Sequence, residues 1–264
     1  MTGRTELLLP EPARTLGALL DVPVPDVAVE GLPMLWHWLY LLDRPAQSDL
    51  GPDGHPVRHS VLAPPGEGQR RMWAGGRVHR RGPLRCGELA TRRSTVLSVQ
   101  EKHGRSGALT FVTVGHQIEQ SGQVVIDERQ DVVYRPAGGT RAAADGGAEV
   151  PPEGDERSIE VTPTLLFRFS ALTYNAHRIH YDRDYARDVE GYPGLLTHGP
   201  LQALAMAEAA RARGVEGAMF EYRLIAPLFD HQGMIAAASA DGTMSVRDRS
   251  GRQTATATLN RGTS

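Results

Sequence analysis

Thr173-Tyr-Asn-Ala-His-Arg-Ile-His-Tyr-Asp-Arg-Asp-Tyr-Ala186 is followed by Tyr192-Pro-Gly-Leu-Leu-Thr-His-Gly-Pro200 and then by an alanine-rich run to Arg213. Two histidines, His177 and His180, stand three apart, Asn175 precedes the first by two, and a Gly-Pro pair opens the apolar run. A proton carrier, an orienting amide and a helix N-terminus thus fall close together, the composition of an active site. In the run that follows, Leu201, Ala203, Leu204, Ala205, Met206, Ala207, Ala209 and Ala210 are apolar nearly all round. This predicts a helix over 200–213 that a sheet wraps, rather than one lying on a surface. Gly214 is its expected stop.

Around this segment the chain reads as strands. Downstream, Phe220 to Phe229, Met234 to Ala240, Thr243 to Arg249 and Gln253 to Asn260 are predicted strands, with hairpin turns at Asp241-Gly242 and Ser250-Gly251. Upstream, Ser158 to Ser170 is strand-like. Before it, Pro136 to Asp155 is rich in Gly, Pro and Ala and poor in large apolar residues, which marks a linker. The first half repeats the plan. Leu32, Leu35, Trp36 and Leu39 recur at helical spacing and predict a helix ending near Asp43. A turn-rich loop covers Gly51 to Gly68, including Pro64-Pro-Gly66. Strands are predicted at Arg71 to Val78, Leu89 to Glu101, Leu109 to Gln120 and Val124 to Arg135, with a tight turn at Ser121-Gly122 and an Arg-rich exposed sheet edge from Arg77 to Arg85. The fold class is α+β, a helix packed on a curved antiparallel sheet, with an internal duplication.

Composition sets limits. The 264 residues are 40% hydrophobic with a formal net charge of −2, as in a globular protein with a substantial core. Near neutrality gives no sign of the broad basic face that nucleic acid demands. No apolar stretch approaches the roughly 20 residues of a membrane span. The one cysteine, Cys86, has no internal disulfide partner, and the N-terminus lacks a signal-length apolar core, so a cytoplasmic location is expected.

The segment Thr173 to Ala186 resembles the motif of the MaoC-like enoyl-thioester hydratase family, hydratase 2, whose pattern is Asp-x-Asn-Pro-Leu-His followed by Asp and Tyr/Phe-Ala. Asn175 stands where that Asp falls, His177 where the Asn falls, and His180 at the family histidine; His198-Gly199 matches the pair that opens the central helix. In the first half, Arg71-Met-Trp-Ala-Gly-Gly-Arg77, Pro83-Leu-Arg-Cys-Gly87 and Glu101 to Gly107 are similar to the degenerate N-terminal unit of one subgroup. That subgroup holds mesaconyl-C4-CoA and itaconyl-CoA hydratases and the type 2 3-hydroxyacyl-thioester dehydratases. The resemblance implies a double hotdog fold: a substrate-binding unit over 1–136, a linker over 137–157 and a catalytic unit over 158–264. It implies reversible hydration of a 2-enoyl-CoA, with a short, branched or dicarboxylic acyl group in the expected range. No cofactor and no metal are expected, and a homodimer is.

The residues assign roles to this chemistry. Adding water to an enoyl thioester needs a base for water, an acid for the α-carbon and donors for the enolate oxygen. His180 suits the first two tasks, since its ordinary pKa lies near 6.5. Asn175 can orient water but, as an amide, cannot carry a proton. The Gly199 amide at the helix start is the expected oxyanion donor. Substrate contacts are expected from Tyr174, His177, Arg178, His198 and Arg223, with Arg178 facing a phosphate or an acyl carboxylate. Trp36, Trp38 and Trp73 are candidates for the acyl or pantetheine channel, although ordinary core packing is the favoured reading of them. A metal cluster of His177, His180, Asp182 and Asp184 lacks the usual ligand spacing. A hotdog thioesterase and a non-catalytic acyl-thioester binder remain the rival readings.

Overall fold

A computed structural model of the chain describes residues 2–58, 61–63, 68–104, 107–136 and 147–261. The turn at Pro64 to Gly66 and the linker residues 137–146 lie outside this set. Among the described residues, ten strands form one antiparallel sheet: β1 (Thr2–Leu7), β2 (Gln69–Arg80), β3 (Leu89–Gly104), β4 (Gly107–Gln120), β5 (Gln123–Pro136), β6 (Arg157–Ile159), β7 (Met219–Leu224), β8 (Met234–Ala238), β9 (Thr243–Arg247) and β10 (Gln253–Asn260). The order is β1-β3-β4-β5-β2-β7-β10-β9-β8-β6. Read from either outer edge inward, each half runs first, third, fourth, fifth, second. A duplicated five-strand unit gives this symmetry.

The halves meet at β2 and β7, paired from Gly75 opposite Arg223 to His79 opposite Met219. The Arg-rich run expected at a sheet edge therefore begins on a central strand, because β7 supplies a second partner beyond β5. Ser121 and Gly122, both at positive φ (51° and 77°), make the two-residue hairpin that joins β4 to β5.

In the second half α3 (Gly199–Ala212) is wrapped as its composition predicts, with every residue from Leu201 to Ala210 buried. Its buried Glu208 accepts a hydrogen bond from Trp36 Nε1 of the first half at 2.8 Å. The strand-like run from Ser158 is a different matter. Only β6 forms there, and α2 (Pro163–Leu172) takes the rest. Thr162 caps it by accepting the Leu165 amide, Pro163 fits the first turn, and Leu165, Leu166 and Phe169 are buried on one face.

The helix expected from Leu32 shrinks to a single 3-10 turn, Trp36–Leu39. Leu35 (φ 69°) and Leu41 (φ 55°) hold left-handed backbone on both sides, which no α-helix accommodates. The first half instead buries α1 (Glu11–Leu20) through Ala13, Leu16, Leu19 and Leu20, packed against α2. Its sheet thus lacks a long central helix and leaves room beside β2, β4 and β5.

Candidate active site

That room is a cavity of about 1130 Å³ lined by both halves, with Trp38, Asp53, His55 and Arg71 from the first and Asn175, His177, His180 and Gly199 from the second. Its floor grows from the end of α2. Tyr174, at φ 52°, reverses the chain, and the Asn175 amide donates back to Ser170 O at 2.8 Å, closing the helix with a Schellman turn. Asn175 Oδ1 then accepts the His177 amide at 3.0 Å, and a short 3-10 turn, Arg178–His180, aims the second histidine inward.

His180 is buried, and its Nδ1 lies 2.6 Å from the carbonyl of Leu196. A carbonyl only accepts, so Nδ1 carries the proton and Nε2 keeps its lone pair. Burial, opposed by the Leu196 bond, pushes the pKa down to about 4. His198 stacks on this ring at 3.6 Å, 18° from parallel, and its Nε2 lies 2.9 Å from Ser170 Oγ. Burial and the neighbouring His180 hold it well below the ordinary range. Both rings are therefore neutral at neutral pH, and His198 sits behind His180 as a flat support. The Gly199 amide opens α3, where a helical amide has no acceptor of its own. A Cβ at Gly199 would come 2.2 Å from Leu224 Cδ1.

Residues 51–56 complete the site from the first half. The Arg178 amide donates to Asp53 O and its Nη1 to Pro52 O, at 2.9 and 3.0 Å. Gly54, at φ 88°, packs so closely that a Cβ there would lie 1.8 Å from Ala176 O. Asp53 Oδ1 accepts the His55 amide and Oδ2 the His55 Nδ1–H, each at 2.9 Å. Burial alone would raise the Asp53 carboxyl, but these bonds hold it below its usual range. His55 in turn meets His177 at 3.9 Å between ring centroids, and His177 meets His180 at 5.4 Å. Burial, then electrostatic competition with His55 and His180 for a proton and the charge of Arg71, push His177 far down.

The expected site residues are thus dispersed over four kinds of place. His198, expected to contact substrate, is instead buried behind His180 and does not line the cavity. Asn175, His177, His180, Gly199 and Tyr174 line the cavity, Tyr174 with an exposed ring. Arg178 is occupied: Nε and Nη2 hold Asp182 at 3.0 and 2.7 Å, and the guanidinium lies over Tyr185. Arg223 is exposed on the outer face of β7, opposite Tyr222, and does not line the cavity. Trp38 and Trp73 line it, edge to face at 5.5 Å, whereas Trp36 is core. Asp182 and Asp184 are taken up by Arg178 and Arg187. A different trio, Asp53, His55 and His177, brings possible ligand atoms within 4.8 Å of one another, yet its Asp53 oxygens are already spent on His55.

Sequence reasoning passed over Asp53, His55 and Arg71. Gly51-Pro-Asp-Gly-His-Pro56 reads as a turn, and a turn is what it is. The available signal was a histidine and a carboxylate in a loop otherwise built of Gly and Pro. Thr197 was missed too; its buried Oγ1 has no hydrogen-bond partner among the described residues and the residue lines the cavity.

A family model described as hydroxyacyl-thioester dehydratase type 2 matches residues 35–230. The chain is 50% identical over 204 residues to the mesaconyl-C(4)-CoA hydratase of Chloroflexus aurantiacus, covering 75% of this chain and 71% of that one. Among solved structures, HtdX of Mycobacterium tuberculosis superposes with a TM-score of 0.66 at 14% identity, over 98% of this chain and 99% of the other. A conserved hypothetical protein of the same organism, described as a double hotdog, gives 0.54 at 16% identity over 97% and 93%. The fold is a double hotdog.

Proposed function

Because the chain belongs to the hydroxyacyl-thioester dehydratase type 2 family, we propose that its cavity hydrates a short, branched, dicarboxylic 2-enoyl-CoA of the mesaconyl kind. The enzyme is a hydro-lyase that interconverts 2-enoyl-CoA and 3-hydroxyacyl-CoA thioesters. The observation that carries our assignment of roles is the His180 ring, whose Nδ1–H is fixed on Leu196 O so that Nε2 is the nitrogen left for chemistry.

With the thioester carbonyl against the Gly199 amide, electron density drawn onto its oxygen makes the β-carbon electrophilic. Neutral His180 Nε2 takes a proton from water as the hydroxyl oxygen bonds that carbon. The enolate carbon then recovers the proton from the imidazolium, which its dry surroundings disfavour. One ring serves both transfers, so no carboxylate at position 175 is needed. Asn175 holds the turn through Oδ1 and has its Nδ2–H₂ to orient water. In this reading the second half supplies the chemistry and the first half the acyl pocket, with the Trp38 and Trp73 faces beside the pantetheine arm. A cytoplasmic homodimer belongs to the same proposal. Supporting association, Leu97 and Val99 of β3 are exposed large apolar residues.

The test is loss of conjugated enoyl absorbance on adding enzyme to mesaconyl-C4-CoA, with free thiol measured in parallel. Hydration without thiol release is expected; thiol release would make the protein a thioesterase.

A further inference from the structure

Resting on the hydratase reading, we propose that Arg71 of β2 receives the free carboxylate of the substrate's acyl group and so sets the preference for dicarboxylic thioesters. Arg71 lines the cavity; its guanidinium meets the Tyr134 hydroxyl, while its buried Nη1 has no hydrogen-bond partner among the described residues. Of the other cavity arginines, Arg135 also lacks a carboxylate partner among the described residues but lies against the Tyr192 hydroxyl, and two are paired. Arg70 is paired with Glu190 at 2.6 Å and Arg92 with Asp43 at 2.6 Å. No carboxylate pairs with Arg71 among the described residues. Asp53 is close enough to feel its charge, but both Asp53 oxygens are engaged by His55. A partly buried guanidinium without a counter-ion costs stability unless a ligand supplies the anion. Its planar fork matches a carboxylate in two parallel bonds.

The location separates an acyl carboxylate from the phosphates of coenzyme A. In a mesaconyl-C4 thioester the free carboxylate is attached to the very carbon that receives the hydroxyl. Its receptor must therefore stand beside the base. Arg71 lies within electrostatic reach of His55 and His177, and His177 contacts His180. The phosphates lie a full pantetheine arm away from the reacting carbons. Pairing also serves the reaction, since an unshielded carboxylate on the β-carbon repels the developing negative charge of attack. The same positive charge opposes a metal ion at Asp53, His55 and His177.

The experiment compares mesaconyl-C4-CoA with 3-methylcrotonyl-CoA, in which a methyl group replaces the carboxylate, for wild type, Arg71→Met and Arg71→Lys. The wild-type kcat/KM ratio is expected to favour the dicarboxylate by at least about 100-fold, the size of a desolvated charge-assisted pair. Arg71→Met should collapse the ratio toward one, and Arg71→Lys should leave it intermediate. An unchanged ratio overturns the proposal, as does an equal loss on both substrates, which would mean a structural role or a phosphate contact. Calorimetric binding of methylsuccinyl-CoA against isovaleryl-CoA reads the same preference without turnover. If binding shows an Arg71-dependent preference while no enoyl thioester is hydrated, the hydratase reading fails and the carboxylate receptor stands. If hydration proceeds with no preference in either assay, the receptor fails and the hydratase stands.

Discussion

At the scale of single residues, the site is a row of imidazoles kept neutral by burial: His55, His177, His180 and His198 all have depressed pKa values. This has two consequences with defined sign. A depressed His180, at about 4, remains a competent base well below its ordinary value. The acid limb of kcat/KM for hydration is therefore expected below pH 5, and a limb centred near 6.5 would contradict the burial argument. For stability, the unfolded chain binds protons below about pH 6.5 while the folded rings do not. The stabilisation is complete above that value and is lost as pH falls toward the folded values. A melting temperature that drops between pH 7 and 4.5 checks this, and substituting His177 and His198 by Asn should flatten the drop. The motif itself was legible at this scale, since His180, Asn175 and Gly199 all stand at the cavity. Arg178 and Arg223 show the limit. A sequence gives a charge but not which neighbour captures it, and here Asp182 captures one while strand alternation turns the other outward.

At the scale of elements, the loop 51–56 and the motif turn behave as one piece. Their contact runs through backbone, from Arg178 N to Asp53 O and from Gly54 to the Ala176 carbonyl. Gly54→Ala meets that carbonyl and a left-handed φ together. We expect it to destabilise by about 2–4 kcal/mol and to lower kcat/KM at least tenfold, measured by urea unfolding and the enoyl assay. A stable, fully active variant would show that the loop is independent of the site. The strands were readable because long alternating runs and Gly turns are local signals, and Ser121-Gly122 names its own turn type. Helices were less so. Leu32 to Leu39 carry helical spacing, but left-handed backbone at Leu35 breaks it, and α2 was concealed by apolar residues that suit a strand equally.

At the scale of the whole molecule, the two halves share one sheet, one cavity and the Trp36–Glu208 bond, so neither is complete alone. A fragment of residues 147–264 would expose the β7 edge that β2 covers. It is expected to aggregate or elute as an oligomer and to lack hydratase activity; a monodisperse active fragment would contradict this. Prolonged dialysis against a chelator is expected to leave turnover unchanged, because Arg71 and the Asp53–His55 bond disfavour a cation. Activity lost and then restored by a divalent metal would replace proton transfer through His180 with metal chemistry. Symmetry between the halves was visible in sequence as repeated strand runs. The joining of the halves into one sheet was not, because the β2–β7 pairing spans far more chain than any local signal reaches.

The most direct measurement is the hydration rate of mesaconyl-C4-CoA by wild type and by His180→Gln, followed at the enoyl absorbance with folding verified by circular dichroism. Removing the free imidazole nitrogen of His180 is predicted to lower kcat by about 10²- to 10⁴-fold with little change in KM. A folded His180→Gln enzyme turning over within a few-fold of wild type would contradict the account.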